Sequence, residues 1–343
     1  MKKVMVLLIG ILLLSLTCFS FINHMEILWC VAVILDVLLG IYIVFKIYRK
    51  YRGHVIVDDS KRTIKPKEIK KVSVVIPNYN YANYIEERIN SILEQTYPIY
   101  ELIILDDKST DNSVDVIKRI IKKLDKDIKV KLIVNEENSG NVFKQWQKAF
   151  SESTGDYLWI CEADDLCDKH FLNVVMQGFE NDKVIMSYTE SKEIDQDDNV
   201  VANDFRHYTD TYNIKLWNKD FIIDGKGFLN KSLSINNSIV NVSSVVFKKI
   251  DVPVDEYLVG AQKYKLSGDW YFYVRFLMNG DIAYSADSLN YHRIHKKSIT
   301  TKTDNKLKYE EISSIQELVN DSVKVSCRYK HYAKVYRKAV EKL

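Results

Sequence analysis

An α/β fold built on a mostly parallel sheet and preceded by two transmembrane helices is what this sequence predicts, from three observations. Two long apolar runs open the chain, strand-like and helix-like segments then alternate over residues 72–161, and the unusual polar residues of that stretch fall just after its strands. With 343 residues, 28% of them charged, the chain reads as an ordinary folded protein of one large domain or two modest ones.

The apolar runs cover residues 4–22 and 27–45, about 19 residues each, close to the ~20 that a helix needs to cross ~30 Å of hydrocarbon. Only a helix satisfies its own backbone hydrogen bonds there, so a two-span hairpin over residues 1–52 follows. Lys2 and Lys3 precede the first run and Lys46, Arg49, Lys50 and Arg52 follow the second. The positive-inside bias then places both flanks in the cytoplasm and the polar break at Asn23, His24 and Glu26 outside. A cleaved signal peptide ending near Cys18 and followed by one span is the competing reading, against which Leu16 and Thr17 make a poor cleavage site. Asp36, costly in lipid, either faces a partner helix as an oligomer contact or shifts the span towards protein. Residues 53–71, polar and lysine-rich with Pro66, read as a juxtamembrane linker.

The β-branched run 72–76 suits a strand buried on both faces, ended by Pro77. Asn83 with Glu86 resembles a capping box ahead of a helix carrying Ile85, Ile89, Ile92 and Leu93. Strands at 102–105, 130–134 and 157–161 alternate with helices at 114–124 and 142–150. That alternation implies right-handed βαβ crossovers, and ligands bind such sheets at the strands' carboxyl ends. Asn78 and Asn80, Asp106 and Asp107, Asn138 and Gly140, and Glu162, Asp164 and Asp165 occupy those ends, so four loops converge on one edge.

A net charge of +3 supplies no basic field for nucleic acid. Five cysteines, at 18, 30, 161, 167 and 327, are an odd number with two in apolar runs, which does not read as a disulfide framework. Cys161, Cys167 and His170 lack a second ligand pair at zinc spacing and read as ordinary thiols and an ordinary imidazole. Glu162, Asp164 and Asp165 are the hard oxygen ligands that Mg²⁺ or Mn²⁺ prefers, although acids this dense are also common at a solvated helix N-terminus. Asp269 opens a helical stretch and reads locally as an N-cap.

These segments, in their order and spacing, resemble the family 2 glycosyltransferases over roughly residues 72–300. The resemblance rests on Val72-Ser-Val-Val-Ile-Pro-Asn-Tyr-Asn80, Leu105-Asp-Asp-Lys-Ser-Thr-Asp111, Asn138-Ser-Gly140, Gly155-Asp-Tyr-Leu-Trp-Ile-Cys-Glu-Ala-Asp-Asp165 and Gly268-Asp-Trp270. It implies a GT-A fold, a Rossmann-like sheet with helices on both faces, with residues 72–185 as the nucleotide-sugar half and 186–300 as the acceptor half. It also implies a UDP-sugar donor, Mn²⁺ or Mg²⁺ as cofactor, and inversion at the anomeric carbon.

Carried over residue by residue, Pro77, Asn78 and Asn80 line the nucleoside pocket, and Asp107 accepts hydrogen bonds from uracil or ribose while Asp106 supports the loop. Ser109, Thr110 and Asp111 look like caps for the following helix. Lys144 stands where the family often places a cation near the phosphates, in a departure from the usual Ala-Arg-Asn. Glu162 and Asp164 occupy the Asp-x-Asp positions, with Glu replacing the first Asp; Asp164 is the leading metal ligand, Asp165 the alternative, and Glu162 touches ribose or metal-bound water. Asp269 matches the catalytic base. In Tyr291-His-Arg-Ile-His295, Arg293 closes over the diphosphate as a donor-binding residue and His295 joins the metal set.

The expected function is a metal-dependent, non-processive glycosyltransferase of surface polysaccharide or glycolipid assembly. It would be a two-pass cell-membrane protein with a cytoplasmic catalytic domain, acting on a glycan or lipid-linked acceptor and not on nucleic acid. Transfer to a polyprenyl phosphate, or a non-catalytic donor-binding scaffold motivated by Glu162 and the Lys144 loop, are the alternatives. Residues 301–343 read as a basic helical tail that lies on an anionic membrane surface or packs on the catalytic domain.

Overall fold

The computed structural model describes residues 37–38, 66, 68–124, 128–212, 216–295 and 304–341. The expected membrane hairpin lies, apart from Val37 and Leu38, outside the described residues, as do most of the linker, Asp36 and residues 296–303. Among the described residues no helix is long and apolar enough to cross a membrane. The fold below belongs to the unit spanning residues 55–343.

Ten strands form one sheet with the order β3-β2-β1-β4-β9-β6-β10-β5, and β7 and β8 pair off that path with β6 and β10. The first half is the expected repeat. β1 (Val72–Asn78), β2 (Glu101–Asp106), β3 (Val130–Val134) and β4 (Tyr157–Ile160) are all parallel, connected by α1 (Ile85–Leu93), α2 (Ser113–Ile121) and α3 (Val142–Glu152). Alternate β1 residues go to opposite faces: Val72, Val74 and Ile76 join Ile85, Ile89, Ile117 and Ile120 in one core, and Val75 joins Phe143, Trp146 and Phe150 in the other. A strand buried on both faces is apolar wherever no partner satisfies a polar group, which is why the centres of β1 and β2 read as apolar runs while the buried Ser73 and Glu101 bond to each other.

The second half departs from the mostly parallel expectation. β9 (Val245–Lys248) lies antiparallel between β4 and β6 (Val184–Ile194), whereas the long β10 (Asp281–Arg293) pairs parallel with β6. β5 (Leu166–Cys167), β7 (Val200–Ala202) and β8 (Phe221–Ile223) add short antiparallel pairs, so the sheet is mixed. β9 has Val245, Val246 and Phe247 fully buried and is as apolar as β1, so periodicity carries no information on its direction.

Two local expectations are corrected. Pro77 does not end β1: the strand continues to Asn78, and Pro77 sits in register with Leu105. Asn83 does not cap α1, whose N-cap is Tyr84 without a side-chain bond; backbone bonds from Tyr84 and Ile85 to the Tyr81 carbonyl make that turn.

The longer helices of the second half are α4 (Val254–Ala261), α5 (Gly268–Leu277), α6 (Asn305–Ser322) and α7 (Cys327–Glu341). The two C-terminal helices pack on the rest of this unit. Ile312, Ile315 and Val319 of α6 join the core of α3 and α5, and Gln316 Nε2 donates to the Ile235 carbonyl at 2.7 Å.

Candidate active site

A cleft of about 1130 Å³ opens at the carboxyl ends of β1, β4 and β10, lined among others by Asn80, Tyr81, Tyr84, Glu162, Asp164, Asn237, Asp269, His292 and His295. That is at the upper end of the ~300–1,000 Å³ usual for ligand pockets, roomy enough for two substrates side by side. Glu162, Asp164 and Asp269, separated by more than a hundred residues of chain, meet here.

The acidic turn follows β4, which is anchored by the fully buried Trp159. That indole stacks on Phe171 with centroids 4.5 Å apart and donates Nε1–H to the Ser243 carbonyl at 2.8 Å. Asp164 and Glu162 then face the cleft. Burial first, and the charges of Asp164 and Asp165 second, push the Glu162 carboxyl up to about 8. Asp164 Oδ2 lies 2.8 Å from His295 Nε2. Glu162 therefore keeps its proton at neutral pH unless positive charge arrives.

Asp165, expected as an alternative metal ligand, does something else. Its Oδ1 accepts from the Arg293 backbone N–H (2.9 Å) and His292 Nδ1 (3.3 Å), and its Oδ2 from Asn241 Nδ2 (2.8 Å) and Ser243 Oγ (2.6 Å). Four donors fill the lone-pair sites of a carboxylate, which leaves none for a cation. Burial opposes its ionisation, but the hydrogen bond and charge of His292, with Arg88 and Ser243, prevail and hold it at about 2. Asp165 is the knot that ties the turn to β10 and to Asn241. Accordingly Asp164, Asp165 and His295 do not assemble as one ligand set, and among the described residues no group of three His, Cys, Asp or Glu side chains could hold a metal.

Arg293 is also corrected. Its head is 1% exposed and is committed to the protein: Nε donates to the Asp164 carbonyl (2.6 Å), one terminal nitrogen to the Asp195 carbonyl (2.7 Å) and the other to Asp198 Oδ1 (2.6 Å), with the Tyr84 ring 4.6 Å below. It holds the backbone of Asp164 in place and is not free to close over a diphosphate.

Of the other donor-side residues, Asn80 lines the cleft, and its φ of 60° is one that asparagine tolerates. Its Oδ1 accepts from the Thr110 and Asp111 backbones, joining the loops after β1 and β2. Asn78 is buried, donating to Asp106 Oδ2 (2.7 Å) and Ser109 Oγ (3.1 Å). Asp107 takes Asn135, Ser139 and Gln145 on Oδ1 and Ser139 Oγ on Oδ2, so its remaining capacity is on Oδ2. Lys144 is exposed, donates to the Ser139 carbonyl at 3.2 Å, and with Pro77, Asn78 and Asp107 stands outside the cleft lining. Asp111 is not the cap: α2 has Asn112 at its N-cap without a side-chain bond, and Asp111, one residue earlier, accepts from the Ser113 N–H.

Asp269 opens α5 at the cleft wall. Burial pushes its carboxyl up to about 6 against hydrogen bonds from the Trp270 backbone and Asn237 Nδ2, the latter 2.8 Å from Oδ2. The glycine before it has a packing reason: a Cβ at Gly268 would fall 2.3 Å from the Phe143 ring and 2.5 Å from the Ala261 carbonyl. The preceding turn is held by α6. Glu311, buried in the interior, accepts from the backbone N–H groups of Lys265, Leu266 and Ser267 at 2.7–3.0 Å.

Sequence reasoning missed several of these residues. Asn237 lies in a segment without periodicity, and Glu311 carries no motif. Arg88 is fully buried behind the acidic turn, its guanidinium 5.4 Å over Trp159 beside the thiols of Cys161 and Cys167. Its position in the buried stripe of α1, between Ile85 and Ile92, was the available signal.

Comparison with known proteins bears on this geometry. Residues 73–236 match the profile of glycosyl transferase family 2. That match covers just under half of the chain, and over those residues the chain is similar to this family. An uncharacterized glycosyltransferase of Nostoc, alr2836, is 36% identical over 115 residues, 34% of each chain. The chain spans less than half the length of that relative and of the next two curated relatives it matches. Two solved structures share the fold. S. aureus TarS residues 1–349, in complex with UDP-GlcNAc, superposes with a TM-score of 0.55 at 16% identity over 78% of this chain and 71% of that one. A mannosyltransferase of Pyrobaculum calidifontis, in complex with GDP-Man and Mn²⁺, does so with a TM-score of 0.55 at 16% identity over 90% and 82%. These likenesses show that the fold described above is shared with both structures.

Proposed function

We propose that this chain is a membrane-anchored, metal-dependent, inverting glycosyltransferase that moves a sugar from a UDP-sugar to a hydroxyl of a glycan or lipid-linked acceptor at the cytoplasmic face. The observation that carries the reading is the meeting, in one cleft, of a cation-seeking acidic turn with Asp269, a carboxylate whose proton affinity is tuned to about 6. That TarS was solved with UDP-GlcNAc and the Pyrobaculum enzyme with GDP-Man and Mn²⁺ supports a nucleotide-sugar donor and a divalent cation. The two apolar runs support the anchor.

Among the described residues no three side chains are assembled as a cation site, so a cation here would rest on Asp164 and His295, whose mutual 2.8 Å hydrogen bond would open to admit it, with diphosphate oxygens supplying most of the shell. When bound, the cation would neutralise charge on the departing nucleoside diphosphate. Arg293 keeps the Asp164 backbone fixed, and Asp165 keeps β10 and the turn together. At the far wall, Asp269 takes the proton of the acceptor hydroxyl as its oxygen bonds the anomeric carbon and the bond from that carbon to the diphosphate oxygen breaks. Attack opposite the leaving group inverts the centre.

The test uses the full chain in detergent against a panel of nucleotide sugars with Mn²⁺, Mg²⁺ or EDTA, beside Asp164→Ala and Asp269→Asn. One donor turned over only with metal, lost binding in Asp164→Ala, and binding without turnover in Asp269→Asn are expected. Absence of donor binding under every condition removes the proposal.

A further inference from the structure

The cleft does not stop at Asp269. Beyond the base its wall is made by Tyr208 and by the C-terminal helices, through Lys308 of α6 and Tyr336 of α7. Tyr208 and Tyr336 hydroxyls are 3.1 Å apart. From Tyr336 the rings continue outward: Tyr212 packs edge-on against it at 5.9 Å and lies 6.0 Å from Tyr332. Over the Tyr332 ring lies the exposed Arg328 guanidinium, 5.4 Å from the centroid, with its Nε donating to the Tyr332 hydroxyl at 3.2 Å. A line of partly exposed aromatic faces thus leads from the reacting end of the cleft along α7 to solvent.

The charge of that line is positive. α7 carries Arg328, Lys330, Lys334, Arg337 and Lys338 against Glu341 alone. Glu311, the carboxylate of α6 nearest the base, is buried and turned inward on three backbone N–H groups, so it does not offset this field. Tyrosine faces suit the apolar faces of sugar rings, and the cations beside them suit anionic substituents on the same chain. A bare lipid surface would call for an apolar outer face, yet Val335 is the large apolar side chain exposed on α7, among the basic residues, while Tyr336 lines the cleft.

We infer that this line is an acceptor track for an anionic glycan, one with carboxylate or phosphate groups along it, whose growing end reaches Asp269 while earlier sugar units lie on Tyr212 and Tyr332. The inference rests on the glycosyltransferase reading and adds the acceptor class to it.

The experiment measures binding of the full chain in detergent to a labelled oligogalacturonate and to a malto-oligosaccharide of equal length, together with flotation on phosphatidylglycerol vesicles. Tyr332→Ala and Arg328→Glu, remote from the reacting end, are compared with wild type, with Tyr332→Phe as the variant that keeps the ring. The anionic oligosaccharide is expected to bind about tenfold or more tightly than the neutral one. Tyr332→Ala and Arg328→Glu should each lose about tenfold of that affinity, Tyr332→Phe should retain most of it, and donor hydrolysis should stay at its wild-type rate in all three. Equal binding of neutral and anionic chains overturns the inference. So does a loss confined to vesicle binding, which would assign the basic helix to a membrane. A chain that binds the anionic oligosaccharide but no donor would remove the enzymatic reading and leave the track standing, so the two failures are separable.

Discussion

Asp269 offers the sharpest test, because its environment sets both a pH and a direction. Burial pushes its carboxyl from an ordinary 3.8 to about 6, so the basic form is about nine-tenths populated at pH 7 and about one-tenth at pH 5. An enzyme that needs the carboxylate should lose about tenfold in kcat/KM over that interval, with activity rising as pH rises through 6. Asn237 sharpens the argument. Its N–H donates to Asp269 Oδ2 and favours the charged form, so Asn237→Ala should raise the pKa further. A hydrogen bond to a charged group contributes about 1.5–3 kcal/mol, which moves the limb up by roughly one to two units. Asp269→Asn should cost about 10²–10⁴ in kcat and abolish the limb.

Stability changes in the opposite sense. The unfolded carboxyl ionises near 3.8 and the folded one near 6, so between those values the unfolded chain binds fewer protons and stability falls as pH rises. Asp269→Asn should therefore melt at or above the wild-type temperature at neutral pH while losing turnover. Initial rates from about pH 5 to 8 at saturating cation, with melting curves at the same pH values, supply the data. A limb near pH 6 that survives Asp269→Asn, or one that moves downward in Asn237→Ala, would refute the reasoning.

Glu162, held at about 8, is mostly protonated at pH 7, so titration with Mn²⁺ and donor in weak buffer should release close to one proton, and Glu162→Gln should release about none. Arg293→Lys keeps the charge but not the fork that grips the Asp164 and Asp195 carbonyls. Chemical denaturation should show a loss of about 2–4 kcal/mol, and cation affinity should weaken about 10–100-fold. Gly268→Ala places a Cβ against the Ala261 carbonyl, which cannot turn aside as the Phe143 ring can. It should destabilise by about 1–3 kcal/mol and lower kcat more than donor affinity, read by melting and by steady-state rates.

Much of the first half of the fold was legible because its signals are local. Val74–Ile76 of β1 and Leu102–Leu105 of β2 are unbroken apolar runs since both faces are covered, and α2 repeats Val116, Ile117 and Ile120 at helical spacing. Asp164 and Asp269 were legible as candidates through their motifs, and they do line one cleft. The antiparallel insertion of β9 was not legible, because strand direction depends on which neighbour a strand finds and not on its own pattern.

The division within the site follows the same physics. Sequence by itself determined which groups are ionisable and where the chain turns: the acids after β4, the Asp at the start of α5, the basic residues of the tail. Tertiary structure alone decided what those groups can do. Asp164 and Asp165 are adjacent and chemically identical, yet one faces the cleft 2.8 Å from His295 while the other is saturated by four donors from two distant segments. Arg293 became a clamp and not a ligand for phosphate because Asp195 and Asp198 lie beside it, and the tail became a wall because Glu311 found three backbone N–H groups. A carboxylate's role is set by how many of its lone pairs the protein has already filled, and that count depends on residues far away in the chain.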